Sequence, residues 1–150
     1  MYLEAYFENK RPEYDFFLRD ILSLLHHFSQ VTNASSFRIL LATVDTNMCS
    51  KFHTDINDLR MLCTYVGPGT LWLSDETEYR HARNKGGNGN SESLNEAEIQ
   101  QAGTGDVVIL KGALYPKSNA VLHRSPSVEK TGEKRLLLRI DTNESTNLWK

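Results

Sequence analysis

His53 and Asp55 stand two residues apart in the segment Phe52-His53-Thr54-Asp55. On extended backbone that spacing puts both side chains on one face, a few ångströms from each other. An imidazole and a carboxylate so placed can hold two neighbouring positions on a divalent metal. A third ligand from another strand completes a facial triad of two imidazoles and one carboxylate. The opposite positions stay open, which suits non-haem Fe(II) oxygen chemistry. His123, closing the apolar Val121-Leu122, is the candidate for the third position. With five histidines and eight aspartates in the chain, a His-x-Asp arises readily by chance, so the surrounding segments must decide.

Those segments read as strands separated by turns. Leu59–Val66 is an apolar run with no helix signal, and Gly67-Pro68-Gly69 breaks it before Thr70-Leu71-Trp72-Leu73. Ala102-Gly103-Thr104-Gly105-Asp106 makes a turn into Val107-Val108-Ile109-Leu110. Val121-Leu122-His123 is a short strand ending at the third ligand, and Ser125 to Lys134 is a polar connection. Upstream, Phe37–Val44 alternates as a first strand. Pro12 to Thr32 is predicted as a helix, because Phe17, Ile21, Leu24, Leu25 and Phe28 form one apolar stripe. Pro12 suits its first turn, and His26 and His27 fall in its last turn as ordinary helix-end residues.

The order of these features, His-x-Asp, then a Gly-Asp turn with a β-branched strand, then a distant His and an Arg, resembles the Fe(II)/2-oxoglutarate dioxygenases. The wording of "KFHTDINDLRMLCTYVGPGTLWL", "GDVVILKG", "HRSP" and "RLLLRID" is similar to an uncharacterised bacterial family, catalogued as a domain of unknown function (number eighteen twenty-six). The resemblance spans about Phe37 to Asp141. It implies a mainly β fold, a double-stranded β-helix or cupin-like jelly-roll barrel, over about residues 37–141. The helix at about 12–32 would cover the outside of one sheet, and the whole chain 1–150 would form one domain. It also implies iron in the barrel mouth, 2-oxoglutarate as cosubstrate, and oxidation of a substrate by O2 coupled to decarboxylation of the keto acid. The family supplies no substrate; a small molecule or a peptide side chain is expected.

The resemblance makes Arg135 the first choice to clamp the remote carboxylate of 2-oxoglutarate, since it opens the last strand beyond the second His. Arg139, on the same face, is the second choice. A guanidinium fork matches a carboxylate bidentately, as a Lys ammonium does not. Leu137 stands where many relatives have a Ser, so hydroxyl support must come from elsewhere. Thr64 and Tyr65 are the candidates, and strand alternation lets only one of them face inward. Arg60, on the face of Leu62 and Thr64, is open to either the keto acid or an anion of the substrate. In the last run Leu136, Leu138 and Ile140 form an aliphatic face. Arg135 and Arg139 are therefore expected to point to the barrel mouth, because burying two guanidiniums in an apolar layer is costly without partners. Charge closes as well. Fe(II) brings +2, Asp55 −1, the keto acid −2 and one Arg +1, which leaves no uncompensated charge in a partly dry pocket.

The composition is that of an ordinary globular chain: 150 residues, 39% hydrophobic and 24% charged. A net charge of −2 gives no reason to expect nucleic acid or an anionic membrane as partner. Two cysteines, Cys49 and Cys63, are too few for a disulfide framework and read as free thiols of a cytoplasmic protein. The acidic start, Met1-Tyr2-Leu3-Glu4, has no apolar core of a signal peptide, and no run has the length of a membrane span. Residues 84–93 hold three Gly and two Ser with little to bury, so a mobile loop is expected there, either a plain surface loop or a lid. Two rival readings use the same residues. One is a metal enzyme of another class, such as a zinc hydrolase with a further carboxylate as general base. The other is a cupin-like module that binds a metal or small molecule without turnover.

Overall fold

The computed structural model describes residues 12–77, 96–116, 119–129 and 131–142. The expected loop at 84–93 lies outside them. In chain order the elements are α1 (Pro12–Thr32), β1 (Phe37–Val44), β2 (Leu59–Val66), β3 (Leu71–Leu73), β4 (Ile99–Gln101), β5 (Val107–Lys111), β6 (His123–Arg124) and β7 (Arg135–Thr142). The strands form two sheets, β1-β7-β2-β5 and β4-β3-β6, and every pairing is antiparallel. Outside the strands, His53 bridges antiparallel to His123 and so adds one further position beside β6. Among the described residues the protein is therefore mainly β, with a long helix on the N-terminal side of the strands. Among the described residues the two sheets stay separate and do not close into a barrel.

Register sorts the side chains of the larger sheet. Asp141 lies opposite Arg38 on one side and Arg60 on the other, and Arg139 lies opposite Leu40 and Leu62. Leu137 lies opposite Ala42 and Thr64, and Arg135 opposite Val44. All these residues share one face, since the side-chain period of a strand is two. The other face is aliphatic, and at its centre Met61, Cys63, Leu138 and Ile140 are buried. The two-faced character expected of the last run is thus realised, with the basic residues on the face away from the aliphatic layer.

Two departures from simple alternation bear on the site. Thr64 pairs with Leu137 but Val66 pairs with Leu136, so Tyr65 is the extra residue of a β-bulge. Just beyond it Gly67 has φ +80°, and a Cβ there would meet Lys134 O at 2.4 Å and the Arg135 side chain at 3.2 Å. The backbone of residue 67 thus runs against the start of β7, where only glycine fits. Gly67→Ala is expected to cost about 1–3 kcal/mol of stability, since it combines a left-handed backbone with a collision against main chain. Urea unfolding would measure it, and an unchanged midpoint would count against this packing.

The shorter sheet is tied to the larger through turns. Ala102 N donates to Thr70 O (3.0 Å), Gly105 N to Thr64 O (2.8 Å) and Thr104 Oγ1 to Gly67 O (2.7 Å). The segment after His53 is held from the other side. Ala113 N donates to Asp55 O, Leu114 N to Asn57 O and Gly112 N to Asp58 O. Residues 55–58 lack a strand of their own but are fixed by the turn that follows β5.

The described residues up to Ser35, which include the helix, form a unit separate from the strands. The helix's expected stripe is its less exposed side, with Phe28 buried and Phe16 and Leu22 exposed. Asn33 ends it in a left-handed conformation (φ 55°), its N–H bonded to Ser29 O, and Thr32 Oγ1 donates to Phe28 O. No described helix is long and apolar enough to cross a membrane.

Candidate metal centre

His53 and His123 face each other across a hydrogen-bonded pair of backbones: His53 N donates to His123 O and His123 N to His53 O, each at 3.0 Å. This puts the two rings side by side, with centroids 4.6 Å apart. Each Nδ1 then lies near the carbonyl of the residue two before it, His53 with Lys51 O (3.0 Å) and His123 with Val121 O (3.1 Å). A carbonyl only accepts, so Nδ1 carries the proton in both rings and Nε2 is the atom left for a ligand bond. This outer hydrogen bond is the usual support of a metal-binding imidazole.

Both Nε2 atoms turn toward Asp55. His123 Nε2 is 3.3 Å from Asp55 Oδ2, and His53 Nε2 is 3.9 Å from Asp55 Oδ1. One ligand atom from each residue lies within 4.8 Å of the other two. Donors on one octahedral face sit about 3 Å apart when each metal–ligand bond is about 2.1 Å. The three side chains therefore fit a divalent ion after small movements. Electron-rich atoms facing one another also need positive charge between them, either protons on the imidazoles or a metal. Burial pushes the Asp55 carboxyl pKa up, but its contacts with His123, Arg60 and His53 outweigh this and hold the group below its usual value. Asp55 is thus kept ionised, as a ligand must be.

Arg60 is committed here rather than free. Its Nη1 donates to Asp55 Oδ2 and its Nε to Asp141 Oδ1. Asn57 Nδ2 also donates to Asp141 Oδ1 (3.3 Å), and Arg139 Nε lies 3.1 Å from Asp141 Oδ2 without the alignment of a hydrogen bond. Arg60 therefore fixes one oxygen of the carboxylate ligand, and Asp141 in turn fixes Arg60.

Arg135 has the opposite character. It is 1% exposed, yet its only described hydrogen bonds go from Nη2 to Thr64 Oγ1 (3.3 Å) and Thr70 Oγ1 (3.4 Å), and Nε has no partner. Burial alone pushes its pKa down. Arg135 faces the cavity shared with the two histidines, as the alternation suggests, but it is enclosed there beside Thr64 and Thr70. Thr64, not Tyr65, is the hydroxyl that meets Arg135, and Tyr65 occupies the bulge. Arg139 keeps its place on the same face, with its side chain 32% exposed.

One cavity joins these groups. It is lined by His53, His123 and Thr70, by Arg60, Arg135 and Arg139, and by the apolar Val44, Met48, Leu62 and Leu137, with Cys49, Arg124 and Ser125 completing it. The Arg124 guanidinium stacks 5.2 Å from the centre of the Phe52 ring, one residue along from the paired histidines. Cys49 is exposed and Cys63 buried, both as free thiols. Thr70 and Asp141 carry roles in the site that composition and spacing do not reveal. The signal for Asp141 is the strand register, which sets it against Arg60.

The fold and the site define an antiparallel β domain whose paired histidines and one carboxylate can hold a metal. A family model described as "Protein of unknown function (DUF1826)" matches residues 3–141, and the chain belongs to that family. No curated protein and no solved structure matched it.

Proposed function

We propose that the protein is a non-haem Fe(II)- and 2-oxoglutarate-dependent oxygenase, a dioxygenase of hydroxylase type, with His53, Asp55 and His123 as iron ligands and Arg135 as the clamp for the keto acid. The observation that carries this reading is the buried Arg135 guanidinium. It lies in the same cavity as the two histidines and has two threonine hydroxyls but no described carboxylate beside it. A buried cation without an anion is costly, and a ligand carboxylate would relieve that cost. Thr64 and Thr70 would aim the fork, and Arg60 would hold Asp55 in its ligating orientation. Bound there, Fe(II) supplies the redox chemistry by which O2 and a keto acid oxidise a substrate C–H bond.

The topology supports the same reading. Counting the His53 bridge as a strand position gives eight positions: first pairs with eighth, second with seventh, third with sixth and fourth with fifth, and third with eighth and fourth with seventh join these pairs into the two sheets. A long hairpin rolled up on itself, as in a double-stranded β-helix or jelly roll, would pair in that order. A hydrolytic metal site would want a further carboxylate free to act as base. Asp141, the carboxylate next to the site, is instead tied to Arg60 and Asn57.

An anaerobic absorption spectrum of the Fe(II) protein, with and without 2-oxoglutarate, tests the proposal. A visible charge-transfer band should appear only when iron and keto acid are both present. Iron binding with no response to 2-oxoglutarate would leave a metal enzyme of another class or a binding module.

A further inference from the structure

We propose that the cavity takes a second, anionic ligand beside the keto acid: a small molecule with an apolar body and a carboxylate or phosphate group, held by Arg139 with help from Arg38, which is diagonal to it on the same sheet face. The inference rests on the iron and 2-oxoglutarate reading and names the class of the primary substrate. It starts from charge. Four arginines line the cavity; with Arg124 set aside, since it stacks on the Phe52 ring, Arg60, Arg135 and Arg139 stand against Asp55 and Asp141, an excess of one positive charge. A divalent ion raises the excess to three, and a keto-acid dianion returns it to one.

Geometry assigns that remaining charge. Both donors of Arg60 described above are taken by carboxylates, and Arg135 is enclosed with the two threonines. Arg139 makes no hydrogen bond to a described residue. Its Nε lies near Asp141 Oδ2 but is not aligned with it, and Asp141 Oδ1 is already shared by Arg60 and Asn57. Arg139 is also four residues from Arg135 on one strand, about 13 Å along it. An anion seated on Arg135 leaves Arg139 with only the Asp141 carboxylate that it shares with Arg60. Arg38 strengthens the point. It sits opposite Asp141 on β1, on the same face as Arg139 and diagonal to it, exposed and without a described carboxylate of its own beyond that shared Asp141.

The walls define the rest of the ligand. Opposite Arg139 the neighbouring strands present Leu40 and Leu62, and Leu137 lies between the two arginines. Val44 and Met48 also line the cavity. An anionic head on Arg139 thus adjoins an apolar wall leading back to the histidines, which suits a short aliphatic or aromatic acid, or its phosphate counterpart, and disfavours a cation.

Calorimetry on the Mn(II)-loaded protein tests this with four probes that share one chain: hexanoate, hexyl phosphate, hexanol and hexylamine, each with and without saturating 2-oxoglutarate. The two anions should bind in the presence of 2-oxoglutarate, and the alcohol and amine should bind at least about tenfold more weakly. Arg139→Gln should weaken both anions about tenfold and leave 2-oxoglutarate affinity unchanged, while Arg139→Lys recovers part of the loss. Arg38→Gln should have a smaller effect, and whichever anion binds more tightly tells a carboxylate site from a phosphate site. Competition between hexanoate and 2-oxoglutarate, equal binding of hexanol, undiminished binding to Arg139→Gln, or no saturable binding of either anion would each overturn the proposal. Binding of hexanoate through Arg139 without any binding of 2-oxoglutarate would keep this site and remove the keto-acid reading.

Discussion

Alanine in place of His123 is expected to strip the protein of bound iron while the strands remain folded. His123 is 5% exposed, and its Nε2 is the ligand atom nearest to Asp55. Losing an outer hydrogen-bond partner of a metal ligand typically costs about 10–100-fold in affinity. Losing one of three ligands outright should cost more, about a thousandfold or beyond. The fold should survive because β6 is held by main-chain bonds that alanine keeps, to His53 on one side and to β3 on the other. Metal content after dialysis, read beside far-ultraviolet circular dichroism, gives the answer. His53→Ala and Asp55→Ala should behave alike, whereas His26→Ala and His27→Ala should retain full metal, since those rings belong to the exposed last turns of α1. Full iron stoichiometry in His123→Ala would remove the third ligand.

The sequence made the triad legible because its evidence is local: two side chains on one face and a later histidine closing an apolar run. The long strands were legible for the same reason, and Phe37–Val44 and Leu59–Val66 fall where alternation and apolar runs put them. Strand β4 was not, since Ile99-Gln100-Gln101 has no apolar pattern and becomes a strand only by pairing with β3. Strand β6 is shifted from Val121–His123 to His123–Arg124, set by partners on both sides. The largest gap concerns the arginines. Alternation places Arg60, Arg135 and Arg139 on one face, but it does not say which will meet a carboxylate. That depends on Asp141 standing opposite Arg60, a pairing 81 residues apart in the chain. The enclosure of Arg135 depends on turns that bring Thr70 and Gly67 against the start of β7. Neither is a property of any one segment.

Replacing Arg135 should separate a binding role from a structural one, because the two predict opposite signs for stability. If the guanidinium clamps the remote carboxylate of 2-oxoglutarate, Arg135→Ala leaves that carboxylate unpaired in a partly dry pocket. Breaking such a pair costs about 3–5 kcal/mol, or about two to four orders of magnitude in affinity. Iron affinity should hardly change, as the guanidinium is no ligand. Arg135→Met keeps most of the volume and discards the charge. With no described carboxylate beside it, Arg135 burdens the ligand-free fold, so Arg135→Met should raise unfolding stability by about 1–3 kcal/mol. Added 2-oxoglutarate should raise the melting temperature of the iron-loaded wild type through linkage and leave that of Arg135→Met unmoved. A structural role predicts the reverse: lower stability in Arg135→Met, through loss of the bonds to Thr64 and Thr70, with the response to 2-oxoglutarate intact. Thermal unfolding under nitrogen, with and without the keto acid, reads both effects in one experiment. A destabilised Arg135→Met that still responds to 2-oxoglutarate would take the clamp away from this residue.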